Sequence, residues 1–197
     1  MAKKRFQHEL ELRQFAVDDY DEVKRIMDRI YPKMGGAWTK EQFSSMISRF
    51  PEGQLCIEDK GRVVAGALSL IIDYSRYGDR HTYRDIVGDG YLKNHDPEGD
   101  YLYGIDIFVS PDYREKRLGR RLYDARKELC ETLNLKGIII GGRIPGYAEW
   151  AEKKTPQQYI RMVNNREISD PVLTFQVSNE FHYKKIIENY WPEDYSS

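Results

Sequence analysis

The chain has 197 residues, 40% of them hydrophobic and 32% charged, and 31 Lys and Arg against 32 Asp and Glu leave a formal net charge of -1. That length suits one domain with a sizeable core, taken as residues 1–197, and the balance excludes a disordered chain and a surface built to seek nucleic acid. No run of about 18 apolar residues predicts a membrane span. The start "MAKKRFQHELEL" lacks a signal-peptide core, and Cys56 and Cys130 are too few for a disulfide framework or zinc cluster, so a cytoplasmic protein without a metal is expected.

Residues 8–15, "HELELRQF", alternate apolar and polar side chains and predict a half-buried strand. Val23, Ile26, Met27 and Ile30 recur at helical spacing after Asp18 and Asp19, which predicts a helix ending near Tyr31. "YPKMGGA" breaks the chain. Thr39 and Gln42 then have the spacing of a capping box, Trp38 is placed to staple to Phe43, and Phe43, Met46, Ile47 and Phe50 form an inner stripe. Residues 54–72 read as a hairpin turning at "DKGR". Residues 73–100 are polar and without clear period, yet hold four tyrosines and two histidines. So long a connection favours an ordered binding loop inserted between strands, with His81, His95 and Asp96 as candidate substrate contacts.

"YLYGIDIFV" (101–109) is nearly continuous apolar sequence and predicts a central strand buried on both faces, ended by Pro111. Leu118, Leu122, Ala125, Leu129 and Leu133 mark a helix stripe. "KGIIIGG" (136–142) predicts a second buried strand, broken by "RIPGY". Thr155, Pro156 and Gln158 open a helix that buries Tyr159, Ile160 and Val163. Asp170-Pro171 favours a helix over the following residues, and "FHYKKIIENY" (181–190) is expected as a final strand. Together these elements predict a mixed α/β fold, a central mixed sheet with helices on both faces.

The turn inside "VSPDYREKRLGRRLYDARKEL" (109–129) sets Arg114, Lys116, Arg117 and Arg120 around a helix start. A helix N-terminus already presents partial positive charge, so more cations there disfavour the helix unless an anion is bound. Outward-facing amides of residues 115–120, with Gly119 bare, could hold a diphosphate. An amphipathic helix with a solvated basic face accounts for the pattern equally well. Neither GxxxxGK[ST] nor GxGxxG occurs, which excludes a P-loop and a dinucleotide fold.

"VSPDYREKRLGRRL" resembles the acetyl-CoA signature of the GNAT acyltransferase superfamily, in which a strand and a Val-x-Pro turn lead to (Arg/Gln)-x-x-Gly-x-(Gly/Ala) at a helix start. Arg114 matches the first position, Gly119 the last, and Arg117 replaces the middle glycine. The resemblance implies the GNAT fold, with splayed central parallel strands at 101–109 and 136–142. "YGDRHTY", "GRRLYDARKELC", "GGRIPGY" and "DPVLTFQVSNEFH" are also similar to the acetyltransferase-like half of bacterial two-domain proteins that carry a nitrilase-like carbon–nitrogen hydrolase.

By that resemblance, the backbone of Phe108 and Val109 pairs with the pantetheine arm of acetyl-CoA. The amides of Arg114, Glu115, Lys116, Arg117, Leu118, Gly119 and Arg120 then hold the diphosphate. An amine of a small molecule or peptide attacks the thioester directly. Asp106 is the one carboxylate in "GIDIFV"; desolvation would make it a usable base, or it is structural and paired with an arginine such as Arg143. His81, His95 and Asp96 are alternatives, and Arg143 could instead meet an acidic substrate group. The tyrosine that protonates the thiolate in many members is replaced by Gln176, and Glu180 stands for the glycine before Phe181. Tyr147 or Tyr183 would substitute, or the thiolate leaves unaided. The function expected is N-acetyl transfer. The alternative is a catalytically silent acyl-CoA-binding module that regulates a hydrolase. A third reading, a basic helix that binds phosphopeptide or RNA, fits the near-neutral charge poorly.

Overall fold

The computed structural model describes residues 8–32, 36–78 and 80–191. The leading residues and the centre of the "YPKMGGA" break, 33–35, lie outside the described residues. Strand β1 (Leu10–Gln14) is followed by helices α1 (Tyr20–Ile30) and α2 (Lys40–Arg49), then by β2 (Gln54–Asp59) and β3 (Arg62–Ile72). The capping box of α2 forms as its sequence predicts: Gln42 N donates to Thr39 Oγ1 at 3.2 Å and Thr39 N to Gln42 Oε1 at 2.8 Å. Between β2 and β3, Lys60 (φ 54°) and Gly61 (φ 78°) both take the left-handed conformation. A two-residue hairpin turn needs that backbone to match strand twist.

The described residues of 73–100 form short elements, among them helix α3 (Tyr83–Val87) with its own Thr82/Asp85 capping box. Five residues are too few to show a helical period, so sequence reading leaves this helix as loop. Strand β4 (Tyr101–Val109), helix α4 (Leu118–Thr132), strand β5 (Ile138–Ile140) and helices α5 (Pro156–Asn164) and α6 (Leu173–Ser178) complete the chain.

The sheet runs β1-β2-β3-β4-β5, antiparallel except for the parallel β4–β5 pair. All of β3 except Arg62 is buried, because helices cover both faces. Phe15, Phe43, Met46, Ile72 and Phe108 pack on the α1–α2 side. Ile57, Val64, Ala67, Leu118 and Leu122 pack under α4. Each such Phe, Met, Ile, Leu or Val side chain contributes about 1.5–3 kcal/mol by leaving water.

The expected strand at 181–190 does not form; the segment is irregular. Its side chains cover the last sheet edge instead of extending it. The Tyr190 hydroxyl occupies the space that a Cβ on Gly141 would fill, at 2.2 Å, and the Tyr190 carbonyl accepts from Tyr83 N at 2.8 Å. Phe181 packs on Tyr123 with ring centroids 4.9 Å apart.

Candidate active site

The site begins with two irregularities in β4. The β3–β4 register shifts between Leu68, which faces Asp106, and Ser69, which faces Gly104, so Ile105 is the extra residue of a bulge. On the other side β5 pairs only with Leu102, Tyr103 and Gly104. Residues 105–109 therefore run on without a β5 partner, and their backbone borders an open gap. A cavity of about 460 Å³ occupies that gap. Tyr31, Trp38 and Tyr83 line it on the α1–α2 side, and Tyr123, Arg126 and Phe175 on the side of α4 and α6.

Asp106 stands in the wall of this cavity. Its Oδ1 accepts from Tyr31 Oη at 3.2 Å and from Ile107 N at 2.8 Å. Burial pushes the carboxyl up to about 6, although those two bonds and the charge of Arg126 oppose the shift. The charge of Asp106 and burial in turn raise the Tyr31 phenol, so Tyr31 stays a donor. Burial raises Tyr83 and Tyr123 as well, which keeps both protonated at neutral pH. The Gln176 side chain, bonded to the Tyr123 hydroxyl, opposes that rise without overturning it.

The cavity continues toward the tip of α4, where a second hollow is lined by Tyr113, Arg114, Arg117, Leu118, Phe175 and Asn179. No side chain caps α4, and its N-cap, Arg117, has φ 60°. Glu115 (φ 65°) is also left-handed, while Arg114 (φ -59°) and the N-terminal side of the turn are not. Alternation of this kind gathers successive N–H groups into a concavity suited to an anion. Arg114, Lys116, Arg117 and Arg120 are exposed, and none closes an ion pair among the described residues. These features fit a diphosphate. Gly119 lines both hollows, but the position a side chain would take there is filled by the protein itself. A Cβ there would lie 2.6 Å from Phe175 Cζ, so the glycine makes room for that ring.

The remaining candidates fall in different places. Phe108 and Val109 lie on the unpaired stretch of β4, and Arg143 and Gln176 line the cavity. His81 is buried away from it, with Nε2 3.2 Å from Tyr103 Oη and Nδ1 2.9 Å from the Gly78 carbonyl. His95 Nδ1 accepts from Ile71 N at 3.1 Å, and its ring stacks on Phe50. Asp96 pairs with Arg76 at 3.1 Å and its N–H bonds the Ile71 carbonyl. His95 and Asp96 thus peg the 73–100 segment to the end of β3. Tyr147 donates to the Lys154 carbonyl at 2.9 Å in the α5–α6 cluster, and Tyr183 is 39% exposed; neither lines the cavity.

Sequence reasoning missed Tyr31, Trp38, Tyr83, Tyr123 and Arg126, all of which line the cavity. Tyr123 and Arg126 had a signal. They fall one turn apart on the same helix face as Leu118 and Leu122, and a stripe counted in apolar residues alone passes over an arginine.

A parallel pair parting beside a bulge, with an uncapped basic helix tip at the end of the gap, is the architecture of a CoA-dependent acyltransferase fold. The model of the acetyltransferase (GNAT) family matches residues 20–145, and the chain belongs to that family. It is 43% identical over 193 residues to the probable hydrolase YhcX of Bacillus subtilis, covering 98% of this chain but only 37% of YhcX. It is 31% identical over 184 residues to the uncharacterized N-acetyltransferase YkwB of the same organism, covering 92% of this chain and 81% of YkwB. Among solved structures, the loading GNATL domain of CurA from Lyngbya majuscula aligns with TM-score 0.79 at 19% identity, over 94% of this chain and 91% of that one. The GphF GNAT-like decarboxylase in complex with isobutyryl-CoA aligns with TM-score 0.71 at 20% identity, over 94% and 93%. These two likenesses speak to the fold.

Proposed function

We propose that the chain transfers an acetyl group from acetyl-CoA to the nitrogen of an amine by direct attack, with Asp106 as the base. The observation that carries this reading is the gap between β4 and β5, which opens beside a carboxyl raised to about 6 and leads to the α4 tip. In this reading the backbone of Phe108 and Val109 pairs with the pantetheine arm. The amides of residues 114–120 and their exposed cations hold the diphosphate.

An alkylammonium cannot attack a carbonyl, so one proton must leave before the reaction. The Asp106 carboxylate accepts it. Asp106 passes that proton to bulk water. The C–N bond then forms, the C–S bond breaks, and the thiolate takes up a proton. The second N–H proton, lost as the amide forms, restores the group that supplied it, so the products are the amide, the CoA thiol and one released proton. Tyr123, one turn beyond Gly119 and one turn before Arg126, is the cavity phenol best placed on the α4 side to supply the thiolate's proton. It takes over the part that sequence reasoning gave to Tyr147 or Tyr183. The acceptor amine enters between Tyr31, Trp38 and Tyr83, where aromatic faces suit a cation.

Turnover of acetyl-CoA with a panel of primary amines tests the proposal. The rate should rise about tenfold per pH unit up to about pH 6, because only the unprotonated carboxylate accepts a proton. Asp106→Asn should lose this limb and at least about a hundredfold in kcat. An unchanged rate and pH profile in Asp106→Asn would remove Asp106 from the reaction. Gln176 in the cavity wall, where many family members have an acid tyrosine, favours a second reading, a silent acyl-CoA-binding module. Binding of acetyl-CoA without turnover on any amine would select it.

A further inference from the structure

A buried arginine stands in the cavity wall with no carboxylate bonded to it. Arg126 is 1% exposed. Its Nε donates to Ser69 Oγ at 3.0 Å, and its Nη2 donates to the carbonyls of Leu68, at 2.7 Å, and of Asp106. All three acceptors are neutral. The Asp106 carboxylate is bonded to Tyr31 and Ile107 instead. Nη1 donates to nothing among the described residues.

The position of Nη1 gives this vacancy meaning. A Cβ built on Gly104 would lie 3.2 Å from Nη1 and 3.3 Å from Ile140 Cγ1. Gly104 and Ile140 are the last pair before β4 and β5 part, so Nη1 sits where the gap opens. Arg126, Gly104 and Ile140 all line the cavity. Taking a guanidinium out of water is costly, and neutral carbonyls offset that cost less well than an anion in fork geometry. Pegging the bulge uses Nε and both protons of Nη2 and leaves Nη1 at the cavity.

We propose that the reaction centre takes a carboxylate-bearing ligand, with its carboxylate held by Arg126 Nη1 beside the reacting carbonyl. The proposal rests on the acyl-transfer reading and narrows its substrates. Two chemistries bring a carboxylate to that point: an acyl chain ending in a second acid group, or an acceptor that is an amino acid. Arg126 acts here as a specificity residue, and the missing side chain of Gly104 leaves its Nη1 reachable.

The test uses the full chain. Acetyl-CoA, malonyl-CoA and succinyl-CoA are titrated by calorimetry. Separately, acetyl-CoA turnover is measured with glycine and phenylalanine against methylamine and phenethylamine. Preference for the acid-bearing thioesters by about tenfold or more places the carboxylate on the donor; the same preference in kcat/KM for the amino acids places it on the acceptor. That factor is the scale of one charge-assisted hydrogen bond. Arg126→Met should abolish the preference, and Gly104→Ala, which sets a methyl against Nη1, should shrink it. Should Arg126→Met fail to fold, the wild-type preferences and Gly104→Ala decide. Binding and turnover of acetyl-CoA with no carboxylate preference on either side overturns this proposal and leaves acyl transfer standing. So does a preference that survives both substitutions. No binding of any thioester overturns both readings.

Discussion

At Asp106 the same burial that destabilises a carboxylate suits it to the proposed role of base. The bulge turns its side chain into the cavity, where among the described residues the Tyr31 hydroxyl and the Ile107 amide solvate it. Its raised value of about 6 lets it accept a proton near neutral pH and still lose it to bulk water. Tyr123 has the complementary property. Burial holds its proton on at neutral pH, which rules it out as the base and leaves it, in the proposed reaction, as the donor to the leaving thiolate. Tyr123→Phe should lower kcat about tenfold with acetyl-CoA affinity unchanged, a modest loss because a thiolate is already a fair leaving group. Single-turnover kinetics beside a binding titration checks it; an unchanged rate would release Tyr123 from the acid role. Asp106 was visible in the sequence as a lone charge in an apolar run. Tyr123 and Arg126 were not singled out, since their value depends on a cavity that only the folded chain defines.

At the scale of elements, the turn before α4 explains a departure from the family pattern. Arg117 replaces the middle glycine of the signature, and its φ of 60° is a conformation that a glycine adopts without penalty. A non-glycine residue there costs on the order of 1 kcal/mol. Arg117→Gly should therefore raise the melting temperature by about 2–4 °C while weakening acetyl-CoA binding, because the substitution relieves the backbone and removes a cation. Thermal unfolding and calorimetry of the same variant separate the two effects; a lower melting temperature would contradict the account. Helix starts were legible wherever a side chain closes the first turn, as at Thr39 and Thr155. Asp170 did the same for α6: its Oδ1 accepts from Val172 N and Leu173 N at 2.9 and 2.8 Å. The expected strand at 181–190 failed because strand period reports a half-buried segment without saying what covers it. Here Phe181 and Tyr190 use their rings to close the molecule, and the backbone between them joins no sheet.

For the whole molecule, the proposed function follows from strands that part. β4 must pair with β5 at Gly104 to be held in the sheet, and must leave it at Ile105 to offer free backbone to a ligand. Sequence placed both strands and the helix tip, because each is a local pattern. It did not place the cavity's aromatic side, which brings α1, the start of α2 and α3 against β4 from far apart in the chain. Nor did it anticipate that His81 and His95 serve to anchor the 73–100 segment. The chain spans 37% of YhcX, whose remaining length lies outside the match.

Calorimetric titration of the full chain with acetyl-CoA, repeated at rising salt and with Arg114→Glu, tests the central claim most directly. Saturable one-to-one binding that weakens with salt and falls at least about tenfold in Arg114→Glu is the expected result if, as proposed, cations and amides at one helix tip carry the diphosphate. An absence of heat at acetyl-CoA concentrations on the order of 1 mM, or binding indifferent to both salt and Arg114, would contradict it.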